Sequence, residues 1–388
     1  MAKIKCNKLK YLFAIILVVV TFTSCWNYRE IEKLGIVTGI AIDYNEESSK
    51  YIVTFEIVDM QAGDKASMIN TQVISNEGDS IFEAIRISIK SASKKLYFSH
   101  AQVLIIGKDI AERGIIPALD FINRHGETRH NIAILVSSCE ASKLFTEKKN
   151  TSEILSYKIA ETIKVADENL PIIPKIDLWQ FVNRISAEDE SAVLPMIHEI
   201  YEENITTLDI DGAGIFKGQK LIGYLDGEET RMLLFIRDEI KDGILVIKDI
   251  YEDKAENVSI EITESKTKIT PHYLDGTFIM NINIRCEVVL GENTGFKDFN
   301  SEEGMKKLKD TAEQQIEKEA EQLIKKVQRE YGSDIFGFGK AIRVQRADLW
   351  KKYKKDWRSM FLLVEAEVKV DMAIKNSGMQ GKPTKVGY

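Results

Sequence analysis

The sequence predicts a multidomain α+β protein, with two to three mixed α/β domains and a C-terminal antiparallel sheet covered by a long helix. Strand-like and helix-like patterns alternate through the first half. A run of short β patterns punctuated by Gly, Asp and Asn fills the start of the second, and a long amphipathic stripe follows it. The chain of 388 residues, 44% of them hydrophobic, exceeds the roughly 250 to 300 residues that one core usually serves.

The chain begins with a leader. Lys3, Lys5, Lys8 and Lys10 precede an apolar run from Tyr11 to Thr23, about thirteen residues long and within the roughly 7–15 of a signal-peptide core. A membrane span needs about 20. Thr23 and Ser24 then place small hydroxylated residues ahead of Cys25, as in a bacterial lipobox, with Phe22 where Leu is usual. The expected processing is cleavage between Ser24 and Cys25, with a covalent diacylglycerol/palmitate group on the Cys25 thiol. An uncleaved signal anchor is the alternative. Two acyl chains hold a protein stably at a bilayer where one does so only marginally.

The formal charge is −7, and losing the four leader lysines takes it to −11. That balance disfavours nucleic acid and a broad basic membrane surface, though a local patch can escape the average. Besides Cys6 and Cys25 there are only Cys139 and Cys286, too few for a disulfide scaffold; they read as two small buried hydrophobes, with a bridge as the lesser alternative.

IVTGIAID and KYIVTFEIVD predict two adjacent strands joined by the polar loop DYNEESSK, with a short strand at Thr71–Ile74. Asp79 and Ser80 offer an N-cap to a helix whose apolar positions Ile81, Ala84, Ile85, Ser88, Ile89 and Ala92 recur at helical spacing. A strand at 101–106, a helix from Asp109 through Asn123 and a buried strand at 131–138 follow. Two amphipathic helices lie between Glu140 and Lys164, and a short one is expected from Asp177 to Arg184.

The acidic stretch 187–208 supplies the domain boundary, placed near 205. The expected division is 1–24 leader, 25–205 N-terminal α+β region with a possible subdomain near 81–138, 206–377 C-terminal α+β domain and 378–388 loose tail. From Asp209 the pattern reads as one β-meander through GYLDGEETRMLLFI to TFIMNINIRCEVVL. Ser301 caps a helix with its stripe at Met305, Leu308, Ala312, Ile316, Ala320, Leu323 and Val327, spanning roughly 45 Å to Glu330. A helix at 347–357 and a strand at 361–374 close the fold.

The motifs that suggest catalysis or metal binding lack the required spacing. The histidines of HGETRH, His125 and His130, are five apart across a glycine, where a zinc-binding helix needs four. FGFGK at 336–340 lacks the Gly and Ser/Thr of a phosphate loop, having Asp334 and Ala341 instead, and GAGIFKG at 212–218 sits in a strand pattern. No Ser stands in a GxSxG elbow. Trp350 and Trp357, seven apart, would share one helical face, either in the core or as an exposed pair for a partner.

Four ordered blocks resemble the Ger(x)C family, the C-subunit lipoproteins of spore germinant receptors. These are CWNYREIEKLGIVTGIAID, LYFSHAQVLIIGKDIAERGIIPALDFINRHGETR, GAGIFKGQKLIGYLDGEETRMLLF and QREYGSDIFGFGKAIRVQRADLWKKYKKDW. The resemblance covers nearly the whole chain. It implies a three-domain α+β protein tethered to membrane lipid on the outer face of the spore inner membrane, assembled with integral-membrane A and B subunits. It implies no catalytic residue, no metal and no cofactor. Gly212, Gly214, Glu229, Arg231, Gly337, Gly339 and Trp357 carry over as structural marks. Glu229 and Arg231 are expected either at an interface or as an internal ion pair. The function so expected is that of a non-enzymatic receptor subunit for nutrient-triggered germination; the alternative is another surface lipoprotein, either a solute-binding protein or a hydrolase.

Overall fold

A nine-stranded mixed sheet and a four-stranded sheet organise the chain. The computed structural model describes residues 34–59, 70–124, 127–146, 153–202, 205–248, 250, 257–293 and 301–375. The leader, Ser24, Cys25, His125 and the tail from 376 lie outside them.

The first sheet is built on β1 (Leu34–Asn45), paired antiparallel to β2 (Lys50–Asp59), which pairs with β3 (Asn70–Gly78). On its other side β1 runs parallel to β4 (Lys95–Tyr97) and β5 (Val103–Ile106); β5 is parallel to β6 (Ala133–Ser137), and β6 to β7 (Val193–Glu202). The antiparallel strands β8 (Ile205–Lys217) and β9 (Lys220–Leu225) complete it. The helices in this half are α1 (Ile81–Ala92), α2 (Lys108–Arg113), α3 (Ile116–Arg124), α4 (Ala141–Thr146), α5 (Leu155–Asn169) and α6 (Leu178–Ile185). The helix expected from Asp109 to Asn123 is thus broken in two, at Gly114, whose φ is 144°.

Because β-strand side chains alternate, the central strands feed two cores. Ile40, Ile42, Phe55, Leu104, Ile106 and Val136 pack with α1, α2, α3 and α6. Ala41, Val103, Ile105 and Leu135 pack with α4 and α5. The second face also holds two buried carboxylates. Asp43 accepts from the backbone N–H groups of Ala141 and Ser142, at 2.7 and 2.8 Å. Glu56 accepts from Leu155 N and Ser156 N, at 2.8 and 2.9 Å, and from the hydroxyls of Ser156 and Thr38. Each strand acid thereby satisfies the free N–H groups at the start of a helix.

The second sheet comprises β10 (Gly243–Ile247), β11 (Val258–Leu274), β12 (Thr277–Asn293) and β13 (Glu365–Lys375). Its first three strands are antiparallel, but β13 lies parallel to β12, since the helical stretch between them serves as the crossover. α7 (Gly227–Ile236) and α8 (Glu302–Lys326) pack on this sheet, with Leu308, Ala312, Ile316, Ala320 and Leu323 of the expected stripe buried. A π-helical turn, Val327–Tyr331, ends α8; α9 (Phe338–Gln345), α10 (Ala347–Tyr353) and α11 (Trp357–Phe361) follow.

One expectation is corrected by the sheet topology. The single meander is divided, because β8 and β9 extend the first sheet and GEETRMLLFI is the helix α7. Asp226 and Glu229 form its capping box, a D-x-x-E signal that outweighs the apolar run. Position 205 falls at the β7–β8 hairpin, so the first sheet continues through Leu225. Val193, Ala213, Ile215 and Leu225 also join the core of the second sheet, so the lobes share apolar packing. Cys139 and Cys286 are free thiols, one half-buried near the end of β6 and the other buried in β12; burial pushes the Cys286 thiol up to about 12. No helix among the described residues is long and apolar enough to cross a membrane.

Candidate functional site

The chemistry of this chain concentrates where the two lobes meet. After α6 the chain carries Glu188, Asp189 and Glu190 in succession, and each faces a base of the second lobe. Glu188 lies 3.8 Å from Lys354, Asp189 pairs with Arg343, and Glu190 lies 3.4 Å from Lys340. Arg184 and Glu239 close the same seam at 2.6 Å. The acidic stretch that marked the boundary in the sequence is therefore a clasp. Asp189 and Glu190 are well covered, so their pairs are worth more than the exposed Glu188 pair.

Backbone bonds reinforce the clasp. Ser191 N donates to the Asp334 carbonyl at 2.7 Å, the Ser333 hydroxyl donates to the Phe216 carbonyl at 3.0 Å, and the Ser333 and Ser191 hydroxyls share a hydrogen bond at 2.8 Å. Arg237 donates to the carbonyls of Ile335 and Ser191. Burial, then the neighbouring Arg184, pulls its guanidinium down to about 10.

Under the clasp lies the glycine-rich segment at 336–340. Its backbone N–H groups do cradle an anion, and the anion is the chain's own Asp334. The carboxylate accepts from Gly337, Phe338 and Gly339 at 3.0, 3.1 and 2.8 Å, and from Trp357 Nε1 at 3.1 Å. Burial pushes Asp334 up to about 6 despite these bonds, which act in the opposite direction. Gly337 adopts φ 78°, a left-handed conformation that favours glycine, and a Cβ on Gly339 would lie 2.6 Å from Trp357 Nε1. The aspartate whose presence rules out a phosphate loop is the reason the loop closes on itself.

The residues singled out from sequence divide as follows. Ser24 and Cys25 lie outside the described residues. Trp350 and Trp357 do not form an exposed pair on one helix: they sit on α10 and α11, are 7% and 3% exposed, and meet edge-on at 5.9 Å within the core. Lys354, Lys355 and Asp356 interrupt the helix between them. Glu229 and Arg231 do not pair with each other. Glu229 closes the α7 capping box and accepts from Lys326 Nζ at 2.6 and 2.9 Å, while Arg231, 5% exposed, donates to Glu228 at 2.6 Å. Sequence reading missed Asp334, Arg237 and the base-by-base match of residues 188–190. An acid just ahead of a Gly-rich helix start was the available signal for Asp334; nothing local signals the others.

A cleft of about 440 Å³ opens beside the clasp, lined by Arg184, Glu188, Glu190, Lys217, Lys354, Lys355 and Arg358 among others, with neither His nor Cys. Among the described residues no group of three His, Cys, Asp or Glu side chains could hold a metal ion. The arrangement is suited to holding two lobes in one orientation.

Comparison with known proteins fits this architecture. The family described as spore germination protein N-terminal domain matches residues 27–199, and the one described as spore germination B3/GerAC like, C-terminal, matches residues 211–378. Spore germination protein B3 of Bacillus subtilis is 26% identical over 92% of this chain and 95% of its own length. Spore germination protein KC of the same organism is 23% identical over 97% and 98%. The crystal structure of the GerBC protein shares the fold, with a TM-score of 0.58 and 23% identity over 89% of this chain and 99% of that one. With both domain models matched in order, one ending within β7 and the other beginning within β8, the chain belongs to the Ger(x)C family of spore germination proteins.

Proposed function

We propose that this protein is a lipid-anchored, non-catalytic C subunit of a nutrient germinant receptor, held at the outer face of the spore inner membrane through Cys25 and acting through contacts with integral-membrane A and B subunits. One observation carries the reading. The two family matches cover residues 27–199 and 211–378 and begin two residues after Cys25, which supports reading that cysteine as the tether of a two-domain body. A clasped two-lobed body on a short tether suits a subunit that works by docking beside membrane partners. Glu229, Arg231, Trp350 and Trp357 support that body from within.

Deleting the gene from its spore former tests the role: germination with at least one nutrient should be lost or slowed, and an unchanged response to every nutrient would overturn it. Cys25→Ala should leave the protein unprocessed or release it from the membrane fraction. Co-purification of integral-membrane partners from spore membranes tests the assembly, whereas loss of solute uptake or of a hydrolytic activity on deletion would favour a different surface lipoprotein.

A further inference from the structure

Strand β1 begins at Leu34, nine residues beyond Cys25, and nine extended residues reach at most about 30 Å. Whatever surrounds the start of β1 is therefore held within that distance of the acylation site. Leu34 pairs with Lys95, the first residue of β4, and Lys94 precedes it. Lys95 Nζ lies 3.4 Å from Glu127, whose carbonyl accepts from the Ser99 hydroxyl at 2.9 Å. In the same turn Arg129 and His130 are exposed, and the His130 carbonyl accepts from Trp179 N at 3.0 Å. Trp179 stands on the first turn of α6 with 61% of its surface exposed, whereas Trp350 and Trp357 are buried.

Charge separates the two ends of this part of the sheet. The end where β1 starts carries the bases Lys94, Lys95 and Arg129 beside Glu127, the partner of Lys95, and Asp59 at the end of β2. At the opposite end, where β1 turns into β2 and β3 finishes, Glu46, Glu47, Glu77 and Asp79 are exposed. A body with a net negative charge can meet an anionic bilayer only by a local basic patch, and an exposed indole beside such a patch is the side chain that settles at a lipid interface. Screening confines the attraction to about 8 Å, so the patch must sit against the headgroups.

We propose that the end of the first sheet bearing Lys94, Lys95, Arg129, His130 and Trp179 is a lipid-facing surface that lies on anionic headgroups, with the Trp179 ring in the interface and the acidic end turned away. This rests on reading Cys25 as the acylation site. It fixes the orientation of the body on its tether, which acylation alone leaves free.

The test uses the full chain, processed in a bacterial membrane and reconstituted into vesicles of phosphatidylcholine and phosphatidylglycerol containing a shallow doxyl-labelled lipid that quenches tryptophan. Trp26, beside the anchor, and Trp179 should both be quenched, so Trp179→Phe should remove roughly half of the quenched signal. In the same vesicles, Lys94 and Lys95 should be protected several-fold from a water-soluble amine reagent relative to detergent solution, while Lys50 at the acidic end keeps its reactivity. Equal quenching of the wild-type and Trp179→Phe chains, or equal protection of Lys50 and Lys95, would overturn the surface. Mass analysis of the Cys25 peptide separates the two readings. Lipid present with Trp179 unquenched sinks this surface alone, and lipid absent sinks the anchor and the tether argument with it.

Discussion

The two lobes differ in how some of their helix starts are held: only the first uses acids from distant strands. In the first, Asp43 on β1 and Glu56 on β2 accept from helix N–H groups 98 to 100 residues further along the chain. In the second, Asp226, Ser301 and Asp334 accept from N–H groups three to five residues on. A local cap forms together with its helix. A remote cap cannot be made until β1 and β2 are placed against α4 and α5, so it records tertiary assembly and depends on it. The first lobe thereby ties α4 and α5 to its central strands while α1 and α6 keep local caps at Ser80 and Asp177, whereas in the second the starts of α7, α8 and α9 are all capped locally.

Glu56→Ala is the most severe way to break this contrast. It strips acceptors from two backbone N–H groups and the Ser156 hydroxyl in a buried site, leaves Thr38 with only the carbonyl of residue 56, and opens a void beside Ser156. The expected loss is about 4 kcal/mol, from several charge-assisted bonds at once, partly relieved by rearrangement. Urea unfolding gives the total, and hydrogen exchange should show α5 opening ahead of the sheet. A loss under about 1 kcal/mol would mean that the remote cap is replaceable and the contrast superficial.

Asp334→Ala should cost about 3 kcal/mol, since three N–H groups and an indole lose a buried acceptor. Trp357 fluorescence reports it directly, and the effect should be centred on α9 and α11. Because Asp334 also lies beneath the clasp, Asp189→Asn and Asp334→Ala should couple instead of adding independently. Strict additivity would show the cradle and clasp to be separate devices.

Titration tells what the two cap types share. Asp43 and Asp334 are both raised from 3.8 to about 6, with burial as the leading cause in each. A folded pKa above the unfolded one means that the folded chain holds the proton more tightly. The stability these groups contribute is therefore full below pH ~4 and is lost as pH rises through about 6, by up to about 3 kcal/mol per group. Asp43→Asn should flatten the slope of urea midpoint against pH between about 4 and 6, in addition to losing an acceptor, and the Asp334 portion should remain. Thus chain separation decides how a cap is assembled, while burial decides how it titrates.

The same contrast explains what could be read from sequence. The apolar run of β1, the strand pattern of β2, the helical stripe of α8 and the Ser80 and Ser301 caps concern residues near one another in the chain, and they appear where expected. Asp226 with Glu229 was equally local, but LLF beside Gly-rich strands suggested a sheet. Glu56 and Asp43 read only as polar positions in strands, because their partners lie about a hundred residues away. Trp350 and Trp357 obeyed helical spacing, yet the break at residues 354–356 put them on separate helices, and they meet through tertiary packing. The candidate site was the least legible part, since matching 188–190 to Lys354, Arg343 and Lys340 requires the fold itself.

Ser301→Ala gives the smallest effect and the sharpest check on locality. Its hydroxyl accepts from Gly304 N at 3.0 Å, at the exposed start of a helix whose remaining turns are held by the sheet. The expected cost is about 1 kcal/mol, with exchange quickened only in the first turn of α8 and no change in α5 or the clasp. Set beside Glu56→Ala, it compares caps of similar purpose at opposite chain separations. If the Ser301 substitution instead loosened β13, where Val370 N and Met372 N donate to Glu317 and Glu313 of the same helix, then the start of α8 would be coupled to the sheet, and the second lobe would be as interdependent as the first.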